Sequence, residues 1–381
     1  MTEVYRRLGV PPLVNAAGRY TKFGGSVMAP EVVAAMTEAA RTHVDLELLQ
    51  QRVGERLAEL THNEAAFVTT GAAAGIVLAL MACATGADET AVRRMTEGRQ
   101  RRGQVIVQRS QAIPYLPAIR LAGMEVVEVG HMFGSDAHDI SAAVTEDTVA
   151  ILHVAGWNVA RGSMGLSDLV AVAGEHELPV LVDAAAQLPP VENMWELTGA
   201  GAVAAVFSGG KDLEGPQASG LVVGRSTLVE AIRLHSAPRQ RLARALKTGK
   251  EEMVGLLAAV ERYVHLDHDR RRRDWDRLLA EWSDGLAVVA DRVSTARDER
   301  NEAGQPLPRL LVSWQDGPRA AELVASLLAG ERPLAVAPVA ERTIGLTPEC
   351  VVGDEATQVV ELLVAELSRA IPARGEEQPR S

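Results

Sequence analysis

Phe207-Ser208-Gly209-Gly210-Lys211-Asp212 follows directly on the apolar run Gly201-Ala202-Val203-Ala204-Ala205-Val206. Upstream, Asp183 closes a second apolar run, Leu178-Pro179-Val180-Leu181-Val182. Short apolar runs bounded by helical patterns read as buried strands. A strand that ends in Asp, followed by one that ends in Ser-Gly-Gly-Lys, suits pyridoxal 5'-phosphate. Lys211 would form the Schiff base, and Asp183 would hold the pyridinium nitrogen protonated. The amine must lose its proton for this chemistry, and burial favours the neutral form. An ordinary surface lysine after a strand is the plain alternative. The two glycines before Lys211 and Gly215-Pro216-Gln217-Ala218-Ser219-Gly220 after it point instead to a tight functional loop. For Asp183 the plain alternative is a turn or a helix cap. A carboxylate at the end of an apolar strand is costly without a cationic partner, and a pyridinium is such a partner.

Working outward, Ala65–Val68, Gln104–Val107, Glu125–Val129, Val149–Val154 and Leu221–Gly224 are also strand-like. Helical patterns lie between them: from Pro30, over Leu46–Leu60, over Ile113–Ala122 and over Leu166–His176. This alternation predicts an α/β fold with a mostly parallel, seven-stranded sheet covered on both faces. Gly249–Arg277 reads as one long helix, with Arg270–Arg273 on a solvated face. Beyond it, Leu310–Val312, Ala320–Leu328 and Thr357–Ala370 suit a smaller α+β domain. The expected division is an N-terminal segment over 1–45, a large domain over 46–250, a linker helix with the small domain over 251–371, and a disordered polar tail over 372–381.

The chain has 381 residues, long enough for two domains. Apolar residues make up 47% and mean hydropathy is near zero, which fits a soluble globular protein. A net charge of −11 opposes a broad nucleic-acid surface. Cys83 and Cys350 are too few for a disulfide framework, so a reducing compartment is expected. Met1–Arg7 lacks the apolar core of a secretory signal, and Ala72–Ala84 is too short to span a bilayer. A cytoplasmic enzyme without a membrane or nucleic-acid partner is the expectation.

Thr69-Thr70-Gly71-Ala72-Ala73-Ala74-Gly75 joins a strand to a helix through residues with almost no side chain. Free backbone N–H groups and the helix dipole favour an anion there. Thr70 and Ser208 can each donate a hydroxyl. Tight helix packing alone would also explain the small residues. With Lys211 and Asp183 present, a phosphate cup at Thr70, Gly71, Ala72 and Ala73 is the better reading. Ala185 is small enough to lie against a flat ring, and Gln187 can donate to a ring hydroxyl. The arginines Arg93, Arg94, Arg99, Arg101 and Arg102 read as a solvated face. His43 and His131 read as structural or surface residues, and His153 as a core or loop residue rather than a catalytic one. No metal site is expected.

Tyr5-Arg6-Arg7-Leu8-Gly9, Val14-Asn15-Ala16-Ala17-Gly18-Arg19, Leu181–Ala186, Ser208–Pro216 and Arg244-Ala245-Leu246-Lys247-Thr248-Gly249-Lys250-Glu251 together resemble a known family. It is the fold-type I pyridoxal phosphate enzymes of the selenocysteine synthase-like group, in particular their D-glucosaminate-6-phosphate ammonia-lyase branch. The resemblance runs to about residue 265. It implies that Lys211 carries the cofactor and shuttles the Cα proton, that Asp183 pairs with the pyridinium, and that Gly71, Ala72 and Ala73 offer amides to the phosphate. It makes Arg244 a candidate for the substrate carboxylate, since a guanidinium grips a carboxylate through two bonds. A surface or interface salt bridge is the alternative for Arg244. Asn15 and Arg19 come from a segment that packs near the site in relatives, and the site of relatives lies between subunits, so at least a homodimer is implied. One position departs from the pattern: the ring-stacking His of many relatives reads as Gln111, which cannot stack like an aromatic, so either Tyr115 substitutes or the ring face is looser.

The expected reaction is removal of a Cα proton from an amino acid or amino sugar acid, then β-elimination of the ammonia-lyase or dehydratase type. Racemisation, transamination and β-substitution share that first step and remain alternatives. Transfer on aminoacyl-tRNA is disfavoured by the acidic charge and by a chain that begins almost at the catalytic domain. A catalytically silent oligomeric scaffold is the non-enzyme alternative, and the presence of Lys211 and Asp183 argues against it.

Overall fold

The structure is a computed structural model that describes residues 3–99, 103–131 and 133–371. Arg101, Arg102 and the tail over 372–381 lie outside the described residues. Two compact units divide the chain. The larger comprises Ser26–Leu266 and Ala303–Gln305; the smaller comprises Met1–Gly25, Asp267–Glu302 and Pro306–Ser381.

Seven strands form the sheet of the larger unit: β1 (Ala65–Thr69), β2 (Gln104–Gln108), β3 (Glu125–Val129), β4 (Thr148–Val154), β5 (Val180–Asp183), β6 (Ala204–Ser208) and β7 (Gly220–Gly224). Their order across the sheet is β1-β7-β6-β5-β4-β2-β3. The β6-β5-β4-β2-β3 ladder is parallel throughout, and β7 runs antiparallel to both β1 and β6. The sheet is thus mixed and mostly parallel, as expected. It has one consequence for the site: every strand except β7 ends on the same edge, where open α/β sheets build ligand crevices.

Side-chain alternation sorts the strand residues into two cores. Phe67, Leu152, Leu181, Val206 and Val222 pack with the helix Ala72–Thr85, which is apolar all round and buried. Val68, Val182, Phe207 and Val223 face the other way, with residues of the helices Pro30–Ala40, Leu46–Leu60 and Lys250–Val264. Asp45 caps Leu46–Leu60 by accepting from the Leu48 N–H at 2.9 Å.

Two local expectations differ from the structure. The long helix over 249–277 is two helices, Lys250–Val264 and His268–Gly285. The Asp267 carboxylate accepts from the Arg270 N–H at 2.7 Å and so starts a new helix where the pattern alone would continue the old one. The helix over 113–122 shrinks to Pro117–Leu121, which starts with Pro117 at its first position, where no N–H is needed. The polar stretch after Gly86 contains a helix, Glu89–Thr96, capped by Asp88.

In the smaller unit, Ala337–Ala340, Thr343–Leu346, Arg309–Trp314 and Val293–Asp298 form an antiparallel sheet in that order. Val14–Asn15 pairs in parallel with Leu334–Ala335. Trp282, Leu310, Val312, Leu323 and Leu363 fill its core. The Arg270–Arg273 run is a surface network: Arg272 and Arg297 both reach Asp276, and Arg271 lies over the Trp275 ring. Among the described residues no helix is long and apolar enough to cross a membrane.

Candidate active site

Asp183 follows Leu181 by two residues, so its side chain lies on the face that carries the Ala72–Thr85 helix. Ser208, two residues past Val206, and Thr69, two past Phe67, share that face at the same edge. Asp183 is buried, and its Oδ1 accepts from the Ala185 N–H at 3.0 Å. Burial pushes its pKa up, while the Ala185 N–H and the Lys211 charge pull it down. The net direction is upward. A carboxylate in that state would be stabilised by a further cation, such as a protonated pyridine nitrogen.

Lys211 is half-buried in the loop that leaves β6. Its loop is held by close contacts that require glycine. A Cβ on Gly209 would stand 2.8 Å from Leu256 Cδ1, and one on Gly210 would stand 2.5 Å from the Gln217 backbone. Ser26 adds both its N–H and its hydroxyl to the Gly210 carbonyl, at 3.0 and 3.1 Å. The Ala29 N–H bonds to the Glu214 carbonyl.

At Thr70-Gly71-Ala72-Ala73 the strand β1 turns into the helix. Gly71 has φ +91°, and the space where a Cβ would project from it is open. Ala73 is exposed, whereas Ala72 and Ala74 are buried. Gly75 is small for packing, since a Cβ there would stand 2.8 Å from Val206 Cγ1. The run of small residues therefore serves two purposes: open amides in its first turn and sheet contact in its second. Thr69 Oγ1 ties the turn by donating to the Gly71 carbonyl at 2.9 Å.

Two expected contacts with the cofactor ring find other partners. Gln111 is fully buried; its oxygen accepts from the Val154 N–H at 3.0 Å, and its nitrogen lies 3.2 Å from His153 Nδ1. It joins the end of β4 to the turn after β2 instead of offering a face to a ring. His153 alternates away from Asp183 along the sheet, and burial lowers its pKa to about 4. It is neutral, with the proton on Nε2, because Nδ1 accepts from the Gln111 amide. Gln187 donates to the Ala303 carbonyl at 3.2 Å. Ala185 does lie beside the site: its carbonyl accepts from the Ser208 N–H at 3.4 Å.

The Arg244 side chain is half-buried, and its Nε has no hydrogen-bond partner among the described residues. No ion pair with it occurs among those residues. Asn15 and Arg19 lie in the smaller unit. Asn15 closes a local turn with Ala17 and Gly18, and Arg19 is buried against Glu349 at 2.6 Å. Sequence reading missed Ser110, whose hydroxyl is buried without a partner in the turn after β2, and the role of the helix Lys250–Val264 in backing the Lys211 loop. A serine beside a strand end and an apolar helix stripe are too common to have been singled out.

These residues fit pyridoxal phosphate: a buried acid facing Lys211, an open helix N-terminus on the same face, and unpartnered polar atoms at Ser110 and Arg244. The family model for L-seryl-tRNA selenium transferase matches residues 13–307. The chain belongs to that family. It is 35% identical over 87% of its length to a 5'-C-glycyluridine monooxygenase-decarboxylase from a Streptomyces species, covering 82% of that protein. It is 32% identical over 86% of its length to the D-glucosaminate-6-phosphate ammonia lyase of Salmonella typhimurium, covering 88% of it. A solved D-glucosaminate-6-phosphate ammonia-lyase superposes with a TM-score of 0.84 at 30% identity, over 97% of this chain and 99% of the other. A NifS-like protein, at 17% identity and a TM-score of 0.62, shows the same fold. The family member described here is therefore a fold-type I, pyridoxal phosphate-dependent enzyme of the lyase type.

Proposed function

We propose that the enzyme removes the Cα proton of an amino acid or amino sugar acid through Lys211 and expels a β-substituent, releasing a keto acid and ammonia. The placement of Asp183 opposite Lys211, on the face where the Gly71 amides lie open, carries this reading. The bound cofactor supplies an electron sink for the charge left on Cα. Asp183 holds a proton at the ring nitrogen, which keeps that sink effective. Gly71, Ala72 and Ala73 receive the phosphate at a helix N-terminus, with Thr70 and Ser208 as hydroxyl donors. Lys211 Nζ takes the Cα proton, and burial of its loop keeps bulk water from competing. The leaving group departs with the electron pair of its bond to Cβ, and one water then hydrolyses the released enamine, through its imine, to the keto acid and ammonia. Arg244 grips the substrate carboxylate.

A homodimer or larger assembly belongs to this reading. Tyr115, Phe133 and Trp157 are 67%, 83% and 64% exposed on loops that follow β2, β3 and β4, and a second copy would cover them. The cytoplasm suits Cys83 and Cys350, both free.

The 35% identity to a monooxygenase-decarboxylase favours a second reading, in which Cα loses its carboxylate and not its proton. Incubating the holoenzyme with D- and L-amino acids and amino sugar acids in D2O separates the two. Ammonia release with deuterium at Cβ of the keto acid supports elimination. Carbon dioxide release that depends on oxygen overturns it in favour of decarboxylation.

A further inference from the structure

We propose that Gln305 and Gly304 are positioning residues for Asp183, acting through the turn that follows β5. Ala303–Gln305 belongs to the larger unit, although it lies far from the rest of that unit in sequence. Gln305 is 5% exposed, and its side-chain amide donates to the carbonyl of the buried Leu188. The Gln187 side chain reaches the other way and donates to the Ala303 carbonyl at 3.2 Å. Two side-chain amides thus cross between the same two backbone segments. A buried amide and a buried carbonyl are costly unless they find each other. Gly304, between the two ties, is fixed by its surroundings. Its φ is +78°, and a Cβ there would stand 2.9 Å from the backbone nitrogens of both Trp157 and Asn158. Glycine lets this strap lie directly on the loop that leaves β4.

The strap rests on the turn that sets the Asp183 carboxylate. The Ala184 N–H donates to the Val206 carbonyl on β6 at 2.9 Å, and the Gln187 N–H closes back on the Ala184 carbonyl at 3.0 Å. The Gln187 carbonyl accepts from the Asn193 side chain at 2.6 Å. Between these ties lies Ala185, whose N–H holds Asp183 Oδ1 at 3.0 Å. One end of the turn is therefore pinned by the sheet, and the other by Asn193 and the strap. The end of β4 meets the same place. The Ala155 N–H donates to the Asp183 carbonyl at 2.9 Å. A Cβ on the next residue, Gly156, would stand 3.1 Å from Gln187 Nε2 and 3.3 Å from the Ala303 carbonyl oxygen. Removing the Gln305 donor frees Leu188 and, through the turn, the Ala185 N–H. That turns the carboxylate without changing its charge, and a charge-assisted hydrogen bond weakens steeply with angle.

This inference rests on Asp183 as the acid paired with the cofactor's ring nitrogen, and the experiment tests the two separately. Full-length apoprotein is titrated by fluorescence with pyridoxal phosphate and with its analogue that has a CH group in place of the ring nitrogen. Both probes keep the aldehyde and the phosphate. Wild type, Asp183→Asn, Gln305→Met and Gly304→Ala are compared, with a thermal melt beside each titration. Gln305→Met keeps the length of the side chain and removes the donor. Wild type binds pyridoxal phosphate more tightly than the analogue, and Asp183→Asn abolishes that preference. If either result fails, the pairing of Asp183 falls and the inference falls with it. With that control met, Gln305→Met weakens pyridoxal phosphate binding about three- to tenfold and leaves the analogue within about twofold of wild type. Gly304→Ala shows the same selective loss, about tenfold or more. Either variant decides the matter if the other does not fold. Equal losses for both probes mark a strap that only supports the fold and overturn the proposal. So does unchanged affinity for both probes in folded Gln305→Met.

Discussion

Gly220 on β7 lies against Gly71 so closely that a Cβ added to it would stand 2.6 Å from the Gly71 carbonyl oxygen and 2.7 Å from the Ala72 nitrogen. The antiparallel strand thereby supports the turn whose amides face the phosphate. Thr69 Oγ1, which donates to the Gly71 carbonyl, also lies 3.3 Å from the Gly220 carbonyl, so all three residues set one backbone geometry. A methyl group at Gly220 has only backbone to displace. Gly220→Ala is expected to cost about 1–3 kcal/mol of stability and to weaken cofactor binding at least about tenfold. Melting curves and a fluorescence titration with pyridoxal phosphate read the two effects. Wild-type cofactor affinity in this variant would separate the turn from the phosphate.

Asp183 sets stability against function. Burial raises its pKa in the folded protein. A raised acid pKa means that the folded state favours the protonated form. The associated stability is full at low pH and is lost as pH rises through the folded pKa. Toward neutral pH the cofactor-free protein therefore bears the cost of burying this acid, which Asp183→Asn removes. The apo variant should melt about 2–4 °C above apo wild type at pH 7–8, with the gap closing under acidic conditions. The same variant loses the ionic partner of the ring nitrogen, so its activity should fall about 100-fold or more. Differential scanning calorimetry across pH checks the first half, and turnover of the holoprotein the second. An apo variant less stable than wild type at neutral pH would contradict the burial argument.

Lys211, Asp183 and the Thr70–Ala73 turn were legible because each ends or begins an apolar run whose strand or helix period is unmistakable. The sheet is mostly buried on both faces, so its strands read as continuous apolar segments. Gln111 and Gln187 turn to protein partners for a physical reason. A glutamine past a strand end can turn toward a ligand or back to the protein, and the choice is made by residues far away in sequence. Val154 and His153 claim Gln111; Ala303 claims Gln187. Residues Ala303–Gln305 belong to the larger unit although their chain neighbours on both sides belong to the smaller one, an excursion without a local signal. The helix break at Asp267 was hidden because an apolar stripe on each side keeps helical spacing, while one capping bond decides the boundary.

Acid sensitivity should come from two buried histidines. His153, held by Gln111, and His235, held by Thr85 Oγ1 at 2.8 Å, both have pKa values lowered to about 4 by burial. In the unfolded chain each titrates at about 6.5. Between those values the unfolded state binds more protons, so stability is full above about pH 6.5 and falls toward pH 4 by about 2–3 kcal/mol for each group. His235→Leu leaves the Thr85 hydroxyl its bond to the Met81 carbonyl at 3.0 Å and removes one of the two titrations. Urea denaturation at several pH values should show the acid slope roughly halved. A slope equal to that of wild type would mean that His235 is not neutral in the native protein.

Arg244 offers the sharpest test of substrate recognition. Its Nε is buried and has no hydrogen-bond partner among the described residues, so a structural salt bridge does not account for its place. An unpaired guanidinium nitrogen out of water is costly to the free enzyme and is repaid by a bound carboxylate. Arg244→Lys keeps the charge and loses the two-pronged geometry. It should raise KM for an amino acid substrate about 10–100-fold, with kcat changed less. The melting temperature should stay within about 2 °C of wild type, because no protein partner is lost. Substrate amides, which lack the carboxylate, should react equally with wild type and variant. A variant that loses stability but binds the acid normally would assign Arg244 to the scaffold, and the carboxylate would then need another partner.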